Sequence, residues 1–473
     1  MKTTSLLLTV FLVIAATCGA TNHAQATDAP PRPNIIFILA DDMGYNDLGS
    51  YGAKLIKTPR LDRFAAEGMR FTQHYAGSAV CAPSRCTFIT GQHTGHTPIR
   101  GNLRLGLSGD IPLPARTVTL PGLLAKAGYT NAVVGKWGLG IETTSGNPLK
   151  QGFHHYFGYL DQVLAHNHTP EFLMRNDERI PLANKVQYVS KDHWSRGIGS
   201  YPLEMKEFSQ DHFTREALKF VENHRDKPFF LYYPAAIPHD NGEALLGKRY
   251  SEVPSFSIYA DMPWTEEEKG YAAMITYLDT ELGKLFDKLT QLGLDENTLI
   301  IFTSDNGGDS PDRFRGLSNQ PFRGHKRDLY EGGLRVPMLA RWKGTVPAGA
   351  LSDHASANWD FLPTFCELAG IPVPAAIDGI SMTSSLLAKG GQREHDHFYW
   401  EFHEKGKKQA VLKGPWKAVR LDVSRNPRGP IELYNLDADP GETRDVSAQH
   451  PETVAELTRL MDSSRTKDPN WTF

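Results

Sequence analysis

Cysteine is scarce in this chain, with four residues among 473. Cys18 falls in a leader-like N-terminal segment, so Cys81, Cys86 and Cys366 are the thiols of the remaining sequence. An odd number of thiols argues against a scaffold held together by disulfides. A disulfide between Cys81 and Cys86 is one explanation of that close pair, and chemical modification of Cys81 is the other.

Neither sign of charge is in excess. The 51 lysines and arginines nearly balance the 54 aspartates and glutamates, which gives a net charge of −3. No basic surplus indicates a nucleic acid partner, and no acidic block indicates a disordered tail. With 40% hydrophobic residues the chain can bury a large core, and its length predicts one large domain with a smaller one.

No apolar run is long enough to span a bilayer. The run Leu6–Ala16, followed by the small-residue site Ala24-Gln25-Ala26, is typical of a secretory signal peptide. We therefore predict a signal peptide over residues 1–26 and an exported protein, periplasmic or secreted, with no stable membrane insertion. Cys18 leaves a lipid anchor as the alternative.

Apolar runs of strand length alternate with helical patterns through most of the chain. The longest helix is predicted from Glu266 to Leu292, opened by a capping box of Thr265 and Glu268. This alternation predicts an α/β domain over residues 27–377, with a large, mostly parallel sheet between helices. The runs read as its buried strands are Asn34–Ala40, Ala132–Val134, Phe229–Tyr233 and Leu299–Phe302.

The pattern changes near Ile377. Short strand-like segments separated by turns follow, and a helix is predicted from Pro451 to Ser463. Residues 378–473 are therefore predicted to form a small α+β subdomain, an antiparallel sheet with one helix.

Polar residues follow the buried strands where each strand ends. Asp41-Asp42, Lys136, His239 and Asp305-Asn306 all come at or soon after such ends. Ligands of open α/β sheets bind outside the carboxyl ends of the strands, which predicts one shared site. The oxygen-only set of aspartates and Asn306 favours Ca²⁺ or Mg²⁺ over zinc, because a cation relieves the repulsion between carboxylates. The alternative is that the aspartates only cap helices or turns.

The segment Cys81-Ala82-Pro83-Ser84-Arg85, which continues to Ile89-Thr90-Gly91, resembles the signature of the type I sulfatases of the alkaline phosphatase-like superfamily. The order and spacing of several other segments strengthen the resemblance over nearly the whole chain after the leader. These segments are Ala40–Gly44, Gly135-Lys136-Trp137, Pro238-His239, Ser304–Gly307, Lys326–Pro337 and Glu432–Leu436 with Asp439-Pro440.

The resemblance implies that Cys81 is oxidised to formylglycine by a maturation enzyme. It implies that residue 81 joins Asp41, Asp42, Asp305 and Asn306 around Ca²⁺, with Mg²⁺ as the alternative. The hydrated aldehyde would attack the sulfur of a sulfate ester, and the bound sulfate would then be eliminated in a second step. The Pro-Ser-Arg context favours this modification over a disulfide.

The resemblance also assigns the nearby cations. Arg85 and Lys136 would stabilise residue 81 and the sulfate charge, and His239 or Lys326 would assist the leaving alcohol. The alternative for Lys326 is a solvated surface lysine, because Arg323 and other basic residues surround it.

One position departs from the family. Many members read Gly-Lys-Trp-His where this chain has Gly138 after Trp137, and that histidine is the expected base for the elimination. His166 is the candidate substitute, since it lies in the following loop region. The alternative is that His166 and His168 face substrate or solvent.

Three functions remain open from the sequence. The first is a sulfuric ester hydrolase acting on a sulfated sugar or oligosaccharide. The second is a phosphodiesterase or phosphonate monoester hydrolase of the same superfamily, and the third is a non-catalytic protein that binds sulfated glycans. The substrate pocket is predicted in the loops over residues 151–177 and 309–327 and around Trp400-Glu401.

Overall fold

A ten-stranded sheet forms the centre of the computed structural model, which describes residues 32–105, 109–189, 199–247, 252–309 and 314–473. The predicted signal peptide, including Cys18, lies outside the described residues. Among those residues, no helix combines the length and the apolarity needed to cross a membrane.

The strands follow the predicted positions closely in the central sheet. Their bounds are β1 (Asn34–Ala40), β2 (Met69–Phe71), β3 (His74–Tyr75), β4 (Thr130–Lys136), β5 (His155–Tyr159), β6 (Phe172–Arg175), β7 (Glu178–Pro181), β8 (Lys185–Tyr188), β9 (Ser200–Glu204), β10 (Phe229–Pro234), β11 (Thr298–Ser304), β12 (Met338–Arg341), β13 (Ala350–Ser352), β14 (Ser356–Ala357), β15 (Phe398–Phe402), β16 (Lys408–Lys413), β17 (Trp416–Arg420) and β18 (Glu432–Asn435).

The helices lie between these strands. Their bounds are α1 (Pro59–Ala66), α2 (Cys81–Thr90), α3 (Leu120–Lys126), α4 (Ser209–Asn223), α5 (Glu266–Gln291), α6 (Glu331–Leu334), α7 (Phe361–Leu368), α8 (Thr383–Leu386) and α9 (Pro451–Ser463). The predicted long helix is confirmed as α5, and Thr265 and Glu268 form the predicted capping box.

The large sheet has the order β13-β2-β12-β11-β1-β10-β4-β5-β6-β7. The five central strands from β11 to β5 run parallel, and antiparallel pairs extend the sheet on both sides. Alternate residues of β1 point to opposite faces, as the two-residue repeat of a strand requires. Ile36 and Ile38 pack with α1, α4 and α5, whereas Ile35, Phe37 and Leu39 pack with α2, α3 and α7.

The C-terminal region forms the predicted antiparallel sheet, in the order β15-β16-β17-β18. One face of this sheet packs on residues such as Tyr75 and Trp359 of the preceding chain, and α9 covers the other face. The predicted fold class, a mostly parallel α/β sheet between helices with a small antiparallel sheet and one helix, is therefore confirmed.

Strand register brings the two acidic segments together. Ala40 of β1 pairs with Ser304 of β11, so Asp41 and Asp305 leave the sheet at the same level. The backbone N–H of Asp305 donates to the carbonyl of Ala40 at 3.0 Å. Asp42 has a φ of 65°, a left-handed conformation uncommon for a residue with a side chain. Its backbone N–H thereby donates to Oδ1 of Asp305 at 3.1 Å.

Candidate active site

The predicted site residues meet at the carboxyl ends of the central parallel strands. Asp41 and Asp42 follow β1, Lys136 ends β4, and Asp305 and Asn306 follow β11. Helix α2 supplies residue 81 and Arg85 from one face of the sheet, while His239 and Lys326 come from loops. All of these side chains are buried.

Cys81 is the first residue of α2, so it lies where the helix presents its unpaired N–H groups. Its Sγ is 3.5 Å from Oδ1 of Asp41 and 3.6 Å from Nζ of Lys136. Burial raises the pKa of the Cys81 thiol far above its ordinary value, with Lys136 opposing the shift. Cys81, Cys86 and Cys366 are free thiols in the described structure, so the alternative disulfide is absent there.

Arg85 and Lys136 are held in place near Cys81 by hydrogen bonds to its surroundings. Arg85 Nη1 donates to the carbonyl of Lys136 at 2.6 Å, and Nη2 donates to Oδ2 of Asp305 at 2.7 Å. Lys136 Nζ donates to Oδ2 of Asp41 at 2.6 Å. Burial alone would raise the pKa of Asp41, but Lys136, Arg85 and Lys326 together hold that pKa below its usual range.

In the other two carboxyls of the cluster, burial and neighbouring carboxylates oppose the charged form, although Arg85 and Lys326 favour it. Burial, with the charge of Asp41 added, raises the pKa of Asp305 to about 7 although Arg85 opposes the shift. Burial also raises the pKa of Asp42, against the opposing charge of Lys326. A divalent cation would remove this conflict by neutralising the carboxylates together.

Asn306 supplies a second sign of a cation site. Its Nδ2 donates to Oδ1 of Asp42 at 2.7 Å. Within the described residues its Oδ1 is buried and receives no hydrogen bond, which is costly unless another partner is bound. Ligand atoms of Asp41, Asp42, Cys81 and His239 lie within 4.8 Å of one another. His239 was not predicted as a metal ligand. Its ring nitrogen Nε2 is hydrogen-bonded to Lys326, so its partner there is a lysine and not a metal ion.

Lys326 and His239 form a hydrogen-bonded pair on the far side of Asp42. Lys326 Nζ donates to Oδ2 of Asp42 at 2.6 Å and to Nε2 of His239 at 3.0 Å. His239 Nδ1 donates to the carbonyl of Asp240 at 2.6 Å, so Nε2 is the acceptor of a neutral ring. Burial and the charge of Lys326 lower the pKa of His239 well below its ordinary value. The alternative of a solvated surface lysine at 326 is therefore wrong.

His166 and His168 occupy different environments. The ring of His166 stacks on that of His239 with centroids 4.5 Å apart, and its Nδ1 lies 3.0 Å from Oε2 of Glu243. His168 is fully buried and its Nε2 donates to the carbonyl of His239 at 2.7 Å. Burial lowers the pKa of His168 to about 4. His166 thus faces the site, whereas His168 supports the loop that carries His239.

Gly138 has no room for a side chain as the pocket stands. Its φ is +75°, and a Cβ added there would lie 2.5 Å from Cγ of Gln162. Gln162 is buried, and its Nε2 donates to Oδ1 of Asn102 at 3.4 Å. Asn102 also accepts from the N–H of Ala82 in the first turn of α2 at 3.3 Å.

A cavity of about 420 Å³ opens onto these groups. Its walls include residues that the sequence analysis missed, because no strand end or motif marks them: Asn102, Arg104, Asp110 and Glu243. The predicted loops 151–177 and 309–327 both contribute to the wall. The predicted contribution of Trp400 and Glu401 is wrong, since both are fully buried, with Glu401 bonded to Arg100.

Comparisons with known proteins agree with this arrangement. A family model described as Sulfatase matches residues 33–371, and one described as N-sulphoglucosamine sulphohydrolase, C-terminal, matches residues 323–467. N-acetylgalactosamine-6-sulfatase of Homo sapiens is 30% identical over 480 residues, covering 92% of this chain and 86% of that protein. N-acetylgalactosamine-6-O-sulfatase of Bacteroides thetaiotaomicron is 29% identical over 551 residues, covering 99% and 100%. The crystal structure of Ps i-CgsB in complex with k-i-k-neocarrahexaose has a TM-score of 0.76 at 27% identity, covering 93% and 94%.

Proposed function

This chain belongs to the sulfatase family, with its alkaline phosphatase-like fold, and we propose that it is an exported hydrolase that removes sulfate from sugars through formylglycine at residue 81 and a bound Ca²⁺. The observation that carries the proposal is the position of Cys81. Its Sγ lies at the start of α2, between Asp41 and Lys136, at the floor of an open cavity.

The buried thiol supports oxidation rather than direct thiolate chemistry. The thiolate is the reactive form of cysteine, and the raised pKa of Cys81 leaves almost none at neutral pH. Formylglycine, once formed by a maturation enzyme, would supply a hydroxyl nucleophile in place of the thiol. The Asp41 carboxylate lies close enough to accept a hydrogen bond from that hydroxyl, and the Lys136 ammonium lies close enough to orient it.

The acidic cluster fits a hard divalent cation. Asp41, Asp42, Asp305 and Asn306 would hold Ca²⁺ together with residue 81, and the unpartnered Oδ1 of Asn306 supports that set. Bound there, the cation would stabilise negative charge on the sulfate oxygens. Arg85 would meanwhile keep Asp305 in place through their 2.7 Å contact.

Lys326 and His239 are proposed to assist the leaving alcohol, and their position in the wall of the cavity that contains residue 81 supports this role. In the observed hydrogen-bond pattern the proton between them belongs to Lys326, because His239 is neutral and accepts at Nε2. The pair can therefore donate one proton to the departing oxygen from the ammonium, with His239 holding the ammonium in position. This charge-assisted donation stabilises the developing alkoxide.

His166 is proposed as the base of the second step, in place of the histidine missing at Gly138. Support comes from its pairing with Glu243 at 3.0 Å and its stacking on His239. A carboxylate beside one ring nitrogen orients the ring and fixes its tautomer, which leaves the other nitrogen as the acceptor. The occupied space at Gly138 supports a different source for this function.

Export and domain division complete the proposal. We propose a signal peptide at residues 1–26, a catalytic domain at 27–377 and a C-terminal subdomain at 378–473. The separate sheet β15–β18 with its own core against α9 supports that division.

The substrates of the relatives give the first assay. N-acetylgalactosamine 6-sulfate should release sulfate with the matured protein, and its 6-phosphate analogue should react at least about a hundredfold more slowly. Preference for the phosphate ester would support the alternative phosphodiesterase or phosphonate hydrolase. Cys81→Ala, with its fold checked by circular dichroism, is the control for background hydrolysis.

A further inference from the structure

The catalytic cavity differs in charge between its floor, the buried cluster around residue 81, and its rim, the part of the wall that carries Arg104 and Arg327. At the floor, three carboxylates (Asp41, Asp42, Asp305) face three cations (Arg85, Lys136, Lys326). These charges cancel, so a bound divalent cation gives the floor a net positive charge. Such a floor attracts one sulfate group strongly.

The first rim cation is already neutralised. Arg104 Nη1 donates to Oδ1 of Asp110 at 3.1 Å, and Nη2 donates to Oδ2 of Asp161 at 3.0 Å. Both carboxylates are buried, at 5% and 4% exposure, so their contact with Arg104 is little screened. Burial and the charge of Asp161 raise the pKa of Asp110, and the charge of Arg104 opposes that shift.

The second cation of the rim, Arg327, also has two carboxylates beside it. Arg327 lies 3.5 Å from Oδ1 of Asp309 and 3.4 Å from Oε2 of Glu404. Glu243 and Asp240 add carboxylates to the cavity wall. Among the described residues of the rim, carboxylates therefore outnumber guanidinium groups.

We propose that this cavity selects a sugar unit that carries a single sulfate and no second anionic group, and that Arg104 is a specificity-determining residue that donates to sugar hydroxyls. The inference rests on the proposed sulfatase function and names the chemical class of its substrate. A sugar ring without a second anionic group presents only hydroxyl and amide groups to the rim. These groups form hydrogen bonds with carboxylates and with a guanidinium whose charge is already balanced by carboxylates. A second sulfate or a uronic carboxylate would face the rim carboxylates, where like charges repel.

Three hydrogen bonds give Arg104 a fixed direction, because Nη1 also donates to Oδ1 of Asp161 at 3.1 Å. The segment carrying it pairs with Asp110 through an isolated β-bridge, and Oδ2 of Asp110 accepts from the N–H of Gln162 at 3.0 Å. Asp161 accepts from the N–H of Val163 at 2.9 Å. Arg104 lines the same cavity as residues 162 and 163, and a guanidinium that is already held in place lowers the entropic cost of binding a hydroxyl there.

The decisive test compares two sugars on the wild-type matured enzyme. One is the monosulfated N-acetylhexosamine that the enzyme hydrolyses, and the other is the same sugar with a second sulfate on a neighbouring carbon. We expect kcat/KM to be at least about tenfold lower for the disulfated sugar, and the ratio to shrink as salt is added. Equal or faster hydrolysis of the disulfated sugar would overturn the inference alone. No sulfate release from either sugar would overturn the proposed function, and the inference with it.

A variant pair locates the discrimination in the rim. The double change Asp309→Asn with Glu404→Gln frees the charge of Arg327, so kcat/KM for the disulfated sugar should rise about tenfold relative to the monosulfated one. Glu456→Gln, which removes a surface carboxylate paired with Lys413, is the control for net charge and should leave the ratio unchanged. A ratio that stays at the wild-type value in the rim variant would contradict the proposed role of the rim.

Arg104→Gln tests the second half of the inference. We expect KM for the monosulfated sugar to rise about tenfold while kcat changes less, because Arg104 contacts the sugar and not the reacting atoms. An unchanged KM in a folded Arg104→Gln protein would remove Arg104 as a substrate contact.

Discussion

Arg85 Nη2 donates to Oδ2 of Asp305 at 2.7 Å across 220 residues of sequence, and both side chains are fully buried. The contact ties the helix that carries residue 81 to the end of β11, where the acidic cluster begins. A charged hydrogen bond of this kind fixes geometry as well as charge. The position of residue 81 and the acidic cluster are therefore built as one unit.

Arg85→Lys should keep the positive charge and lose the two-point contact with Asp305 and the carbonyl of Lys136. We expect kcat/KM to fall about a hundredfold, the typical cost of losing one preorganised donor. Steady-state sulfate release measures the effect. Arg100→Lys is the matched control, since Arg100 is also a buried arginine bonded to a carboxylate, Glu401. An equal loss in both variants would show that the effect is one of general stability.

Removal of the divalent cation should abolish turnover and lower the melting temperature, because repulsion among the buried carboxylates returns. Calcium should restore both. Asn306→Ala should shift the calcium dependence of the melting temperature to at least about tenfold higher concentration, as loss of an orienting ligand does. Asn184→Ala also changes a buried asparagine, one that bonds loop carbonyls instead. Asn184→Ala is the control and should keep the wild-type calcium dependence. If Asn306→Ala kept it as well, the assigned ligand set would be wrong.

His166→Asn should slow turnover about a hundredfold, in the range for loss of a general base. If His166 serves the second step, alcohol should appear in a burst ahead of sulfate in rapid-mixing experiments. His168→Asn should lower the melting temperature more than the rate, because His168 donates to the backbone of His239. Mild and equal effects on the rate would eliminate His166 as the base.

His74 should make the protein less stable in acid. Burial lowers the pKa of His74 from 6.5 to about 4, while its two ring nitrogens bond Ser356 and Asn358. A lowered folded pKa means that the unfolded chain binds the proton first, so stability is full above pH 6.5 and falls as pH drops towards 4. The loss from this group is about 3 kcal/mol.

Chemical denaturation between pH 7 and pH 4.5 measures this loss. His74→Gln should reduce the difference in unfolding free energy between the two pH values, and His154→Gln, at an exposed histidine, should leave it as in the wild type. A His74→Gln protein with the full wild-type pH dependence would contradict the assignment.

Sequence reasoning performed best where a pattern has one physical cause. The apolar run at Asn34–Ala40 has to be buried on both faces, and the capping box at Thr265 and Glu268 fixes the start of a helix. Polar residues at strand ends then predicted one edge for Asp41, Asp42, Asp305 and Asn306, because parallel strands share their carboxyl ends. The structure brings these side chains to that edge.

The other features of the site could not be predicted, because they depend on contacts between loops that are far apart in the sequence. Nothing in the sequence around Arg104 shows that Asp161 holds it, since the two are joined only by the folded loops. The occupancy of the space beside Gly138 by Gln162 is equally hidden. Trp400 and Glu401 were predicted to border the substrate pocket as part of a loop, whereas both are buried in strand β15 of the C-terminal sheet.

The most direct measurement follows turnover against the chemical state of residue 81. Preparations with graded maturation would be assayed for sulfate release, and peptide mass spectrometry would give the fraction of formylglycine in each, with Cys81→Ala as the zero point and Cys86→Ala as the control thiol. The account predicts that kcat rises in proportion to that fraction and reaches zero with the unmodified thiol. Full turnover by protein that carries only cysteine at residue 81 would contradict it.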